Sequence, residues 1–187
     1  MQATLVRPIL IVMIGVLCAV CLSGCDDDVA LYDFEIAWTS DNPYPGDNNV
    51  TLFAASSDPD ELLLAVDLYN ITNGPTHGVA FDLVFRDEVL RYIGFEAGSV
   101  LEPMGSVMYQ ASLDPQDPGR LIVGVSLTGN MTVENADGPV IFLRFGPRRS
   151  GTGPVTFENA RILTAESNGT YPVSGIAWYG GYATIVD

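Results

Sequence analysis

The sequence predicts an all-β protein, an antiparallel β-sandwich of about nine strands. Three observations carry that expectation. After Val50 the apolar residues come in short runs alternating with polar ones, the two-residue period of a half-buried strand. Gly, Pro, Asn and Asp separate those runs at short intervals. No useful length of chain carries the 3.6-residue helical period.

In chain order, strands are expected near Val50–Ala54, Leu62–Tyr69, Val79–Phe85, Val89–Phe95, Val107–Leu113, Leu121–Leu127, Val140–Phe145, Val155–Leu163 and Trp178–Val186. Asn73-Gly74-Pro75 ends the second run, and Asp114-Pro115 with Asp117-Pro118-Gly119 divides the fifth from the sixth. Asp137-Gly138-Pro139 precedes the seventh, Ser150 to Pro154 the eighth, and Asn168-Gly169 falls before the last. Period 2 sends Phe81, Leu83 and Phe85 inward and leaves Asp82 and Val84 outside. Leu121, Val123, Val125 and Leu127 likewise go inward, leaving Ile122, Gly124 and Ser126 outside. Trp178 and Tyr182, four apart in one expected strand, should share a face. Ahead of Val50 the chain is acidic and turn-rich, yet Tyr32, Phe34, Ile36 and Trp38 alternate with more polar positions. Residues 25–49 are therefore either a tether or an added edge strand.

The N-terminus carries an export signal. Arg7 is followed by an apolar run from Pro8 and then Leu22-Ser23-Gly24-Cys25, the layout of a secretory signal peptide. Pro8 to Cys21 is 14 residues, short of the ~20 that cross a bilayer as a helix. Leu22-Ser-Gly-Cys25 resembles the lipobox of bacterial lipoproteins, which implies diacylation of Cys25 and its exposure as the new N-terminus. At about 0.8 kcal/mol per buried CH₂, two or three acyl chains hold a protein on a membrane where one would not. The division expected is 1–24 signal peptide, 25–49 tether or strand, and 50–187 sandwich. The protein should be exported and held on a bacterial membrane by Cys25. Asp26 beside it resembles an inner-membrane retention signal, but that rule differs between lineages, so the leaflet stays open.

Composition narrows the partners. The full chain has net charge −15 and its eight bases are all arginine. Loss of Arg7 would make the charge −16. Such a surface repels nucleic acid and anionic headgroups, so lipid rather than a basic patch must anchor it. Cys18 and Cys21 would leave with the signal peptide and Cys25 would be spent on lipid. No disulfide, thiolate nucleophile or cysteine metal ligand is then expected, and stability must come from a packed core.

From Leu62 onward the order of elements resembles cohesin domains, the modules of cellulosome scaffolds. Gly78-Val-Ala-Phe-Asp-Leu-Val-Phe85, the acidic turn Arg86-Asp-Glu88, Val89-Leu90 and the run to Leu101 carry most of the likeness. Gly119 to Ser126, Gly138 to Phe145 and Val155-Thr-Phe157 add to it. The turn at Arg86 is shorter than the family's usual Tyr-Asp-Pro form. The resemblance implies a jelly-roll, also the build of many carbohydrate-binding modules, that offers one sheet face to a dockerin. Asp82 matches a position where members often present an acid to the partner. The face expected here comprises Asp82, Val84, Met108, Gln110, Ser112, Ile122, Gly124 and Ser126.

Little in the chain points to chemistry. His77 is the sole histidine and reads as a solvated turn residue; the serines occupy no Gly-x-Ser-x-Gly elbow. Asp58-Pro59-Asp60-Glu61 and the stretch from Asp41 to Asn49 gather oxygen ligands but miss the spacing of a calcium loop, so solvated acidic turns are expected. Neither metal nor other cofactor is expected, and the protein is read as a non-enzyme. Three functions follow as alternatives. One is a lipid-anchored module binding a protein, dockerin-bearing or of the envelope. Another is a surface lipoprotein stacking polysaccharide on Trp178, Tyr179 and Tyr182, though core packing suits those aromatics better. The third is a structural subunit of an envelope assembly.

Overall fold

A computed structural model describes residues 34–58, 60–166 and 169–187. Cys25, the expected lipidation site, and Asn168 lie outside the described residues, as does Pro59 of the acidic turn. Twelve strands form two layers: β1 (Glu35–Ser40), β2 (Asn49–Asp58), β3 (Glu61–Ile71), β4 (Gly78–Phe85), β5 (Leu90–Ala97), β6 (Val107–Asp114), β7 (Asp117–Leu127), β8 (Ala136–Pro147), β9 (Gly151–Glu166), β10 (Gly169–Val173), β11 (Ala177–Tyr179) and β12 (Gly181–Val186). The first sheet runs β1-β12-β9-β4-β7-β6, with β10 paired to β9; the second runs β11-β2-β3-β8-β5. Every pairing is antiparallel except β11 with β2. The predicted sandwich is the observed one, with more strands than the nine expected.

Alternation built the core as expected. Phe81, Leu83, Phe85, Leu121, Val123, Val125 and Leu127 from the first sheet are buried against Leu62, Leu64, Val66 and Leu68 from the second. Aromatic pairs join the layers: Phe85 meets Phe145 edge-on at 5.2 Å, and Trp178 meets Phe157 at 5.1 Å and Phe81 at 6.1 Å. The two sides close differently. Trp38 Nε1 donates to the Leu52 carbonyl at 3.3 Å, tying β1 to β2. On the far side Tyr109 stacks on Phe95 at 6.2 Å and donates its hydroxyl to Gly98 O at 3.0 Å.

Two expectations are settled at the chain ends. Ile36 and Trp38 of the alternating run before Val50 lie in an edge strand, since β1 pairs with β12 from Glu35↔Val186 to Ser40↔Gly181, whereas Phe34 precedes it and Tyr32 lies outside the described residues. The sandwich therefore starts ahead of Val50. The single strand expected over Trp178–Val186 is instead two, β11 in the second sheet and β12 in the first. The chain changes sheet at Gly180-Gly181. A Cβ at Gly180 would strike the Val155 carbonyl, and one at Gly181 the Thr39 carbonyl and the Trp38 ring. Only glycine lets the crossover pass this close to β9 and β1.

Candidate functional site

The outer face of β4, β7 and β6 collects the residues singled out from the sequence. Cross-strand partners lie in three rows: Gly78, Ser126 and Met108; Ala80, Gly124 and Gln110; Asp82, Ile122 and Ser112. Directly opposed side chains in such a row stand ~5 Å apart at Cβ. Met108 is 60% exposed and Ile122 42%, with Gln110 and Ser112 also exposed. Val84, Gly124 and Ser126 are half-buried. Between them lies a shallow depression of about 480 Å³, bordered by Ala80, Met108, Gln110, Gly124 and Ser126. A Cβ on Gly124 would meet nothing within 4 Å, so bare backbone forms part of its floor. All eight predicted face residues thus lie on β4, β6 and β7, and four of them, Met108, Gln110, Gly124 and Ser126, border the hollow.

Asp82 does point outward, but it is not a lone acid. Arg120 Nη1 donates to its Oδ2 at 2.8 Å, and Asn159 Nδ2 donates to the same oxygen at 2.7 Å. Arg120 also donates to Glu158 at 2.7 Å and lies 3.5 Å from Asp117. Its hydrogen bonds to Glu158 and then to Asp82 raise its pKa above the ordinary guanidinium value. Asn159 reaches the cluster because β9 is irregular where it faces Ala80 and Asp82, with Asn159 in the left-handed region at φ 49°. A satisfied ionic network therefore occupies the row next to the hollow, two residues along β4 from Ala80.

The outer face of the second sheet is its opposite. Thr51 and Asp67 are cross-strand partners there, and the rings of Phe53 and Tyr69 meet diagonally over them at 5.9 Å. Thr51 is fully buried although it points away from the core. Thr51 Oγ1 and Asp67 Oδ1 are both buried and make no hydrogen bond to protein. Burial, and secondarily the Asp137 carboxylate, push the Asp67 carboxyl above its usual range; burial also raises the Tyr69 phenol.

Other candidates resolve individually. Trp178 is committed to the core with Phe81 and Phe157, whereas Tyr182 is 48% exposed on the other sheet. The shared face expected for those two does not exist, because the crossover at Gly180 separates them. Tyr179 is half-buried on β11 beside Thr51. His77 is buried rather than solvated: its Nδ1 lies 2.8 Å from the Met131 carbonyl, an acceptor only, so Nδ1 carries the proton. The acidic loop before β2 serves local structure. Asn48 Oδ1 accepts from Thr72 N and Asn73 N, and Asp47 accepts from Asn70 Nδ2. Among the described residues no three His, Cys, Asp or Glu side chains come together to hold a metal.

No protein-family model matches the chain, and no curated protein does. Solved structures do. A type II cohesin domain from the cellulosome of Acetivibrio cellulolyticus is 14% identical with TM-score 0.53, over 82% of this chain and 94% of its own. The second type II cohesin module of an adaptor scaffoldin from the same organism is 15% identical with TM-score 0.54, over 80% and 88%. The sixth cohesin of its scaffoldin B, solved in complex with a mutant dockerin, is 19% identical with TM-score 0.53, over 73% and 97%. At these identities the likeness is one of fold: the sandwich is cohesin-like.

Proposed function

We propose that this chain is a lipid-anchored binding module of a bacterial envelope, presenting the outer face of β4, β7 and β6 to a protein partner of the dockerin kind. The observation that carries the reading is the hollow over Gly124, bordered by exposed Met108 and Gln110, with exposed Ile122 and the Asp82–Arg120 network in the next row. An apolar centre with a charged border is how protein interfaces are commonly built. A partner suited to it offers a small apolar side chain for the hollow and a basic or neutral polar rim. The cohesin in complex with a dockerin supports the partner class by fold. Anchoring rests on Leu22-Ser-Gly-Cys25 and the apolar run before it.

The test immobilises the full chain and titrates a panel of dockerin modules against it. Gly124→Arg should fill the hollow and abolish binding with the unfolding midpoint unchanged, because space above Gly124 is open. Equal binding by wild type and Gly124→Arg would remove this face from consideration. Separately, Cys25→Ser should abolish incorporation of labelled fatty acid; a variant that still incorporates it refutes the anchor.

A further inference from the structure

A strand at the rim of a sheet presents unpaired N–H and C=O groups, and native proteins guard such rims with charge, proline, bulges or brevity. Among the described residues the rims differ sharply. β11 has three residues, β10 carries Pro172, β5 carries Arg91, Glu96 and a register break between Tyr92 and Gly94, and β1 begins on Glu35. β6 carries an acid and a register break only at its last residue, Asp114, and from Val107 to Leu113 reads Val-Met-Tyr-Gln-Ala-Ser-Leu with no charge, proline or break, in a chain with 23 acids. It pairs only with β7 and ends the first sheet.

The side of β6 that is free follows from ladder geometry. Thr128 N donates to Ser106 O at 2.9 Å, just beyond the Val107↔Leu127 pair. Bonded and non-bonded positions alternate in an antiparallel ladder, so Met108, Gln110 and Ser112 use their backbone groups on β7. Leu127 agrees, since its N–H turns the other way to His77 O. The N–H and C=O groups of Val107, Tyr109, Ala111 and Leu113 therefore face outward.

We propose that β6 pairs with β6 of a second copy of this chain, antiparallel about a two-fold axis at Gln110. This register sets Val107 opposite Leu113, Tyr109 opposite Ala111 and Met108 opposite Ser112, a large side chain meeting a smaller one in the last two pairs. Every outward N–H then meets an outward carbonyl of the other copy. Asp114 falls opposite Ser106, so no two acids oppose each other along the pairing, a condition that matters for two strongly anionic molecules. The axis is normal to the sheet, so the two sheets fuse and both hollows open on the same side. Such a dimer would take a two-site partner with the avidity of a linked pair.

The test uses the full chain in mild detergent. Gln110 meets its own copy at a non-hydrogen-bonded position, with Cα atoms about 4.5 Å apart, within reach of a disulfide. Gln110→Cys should therefore give a covalent dimer on oxidation, while Ile122→Cys, exposed but one strand in, should not; both retain the same native cysteines. Gln110→Lys places like charges together and should weaken self-association at least ~tenfold with the unfolding midpoint unchanged. Wild type that stays monomeric by light scattering from ~1 μM to ~1 mM overturns the proposal. So does Ile122→Cys cross-linking as readily as Gln110→Cys, or Gln110→Lys leaving the dimer intact.

Discussion

The two outer faces of this sandwich obey the same two-residue period and end in opposite states. On the first sheet, outward positions across β4, β7 and β6 are small at Ala80, Gly124 and Ser126, leaving backbone open beneath Met108 and Ile122. On the second, outward Phe53 and Tyr69 meet over Thr51 and Asp67, where Thr51 is fully buried and Asp67 half-buried. The charges differ as well. Asp82 has Arg120 and Asn159 to satisfy it, whereas Asp67 feels the like charge of Asp137 and keeps its buried Oδ1 without a hydrogen bond to protein. Pointing outward is thus no guarantee of being available. Residue size in the neighbouring rows decides which face can receive a partner.

The layer between the faces sets the scale. Phe81→Ala should destabilise by about 3–5 kcal/mol, as deletion of a buried aromatic does, while Val84→Ala, its half-buried outward neighbour, should cost under ~1 kcal/mol. Denaturant midpoints in the reverse order would mean the inward and outward sets of β4 are exchanged. Next comes the contrast itself. Tyr69→Ala removes one ring of the pair that meets over Thr51 and should cost about 2 kcal/mol, whereas Ile122→Ala on the open face should stay under ~1 kcal/mol. Equal costs would erase the distinction between a covered and an open face.

A smaller effect separates the two acids by pH. The raised pKa of Asp67 means that the folded state holds its proton more tightly than the unfolded state does. Its unfavourable contribution is therefore full above the folded pKa and vanishes below the unfolded value of about 3.9. Asp67→Asn should raise the unfolding temperature at neutral pH, with the gain fading as pH falls through that window. A gain that persists at pH ~3 would have another cause. The smallest effect is expected at the exposed network. Glu158→Gln leaves Arg120 its bond to Asp82 and should change stability by under ~1 kcal/mol, read from the same melts.

What could be read before the structure, and what could not, follows from the range of each interaction. Phe81-Asp82-Leu83-Val84-Phe85 declares its two faces within one strand, so the core and the eight face residues were legible. The Arg120–Asp82–Glu158 network was not, because β7, β4 and β9 meet only once their registers are known, and 38 positions separate Arg120 from each acid. Burial of Thr51 depends on a diagonal contact between Phe53 and Tyr69 and is equally non-local. The crossover at Gly180 left one local trace, the paired glycines Gly180-Gly181, inside what otherwise reads as a continuous apolar strand. His77 looked like a turn residue because its cover, the segment around Met131 and Val133, lies far along the chain.

The pairing of β1 with β12 bears on when the fold can be completed. Ile36 and Ile185 are partners across about 150 residues, so β1 has no ladder to join until β12 has been made. Loop-closure entropy of that size slows assembly, and sandwiches rich in distant pairings fold in milliseconds to seconds. A nascent chain would hold the Gly151–Val155 end of β9 without its second neighbour until β12 arrives, since β12 pairs with both β1 and that stretch of β9. Closure of the first sheet therefore waits for β12 to be made. A ribosome-release or refolding experiment should find protection of the Ala37 amide, which the ladder turns toward Thr184, appearing together with that of Thr184 and after that of the β3–β8 pair.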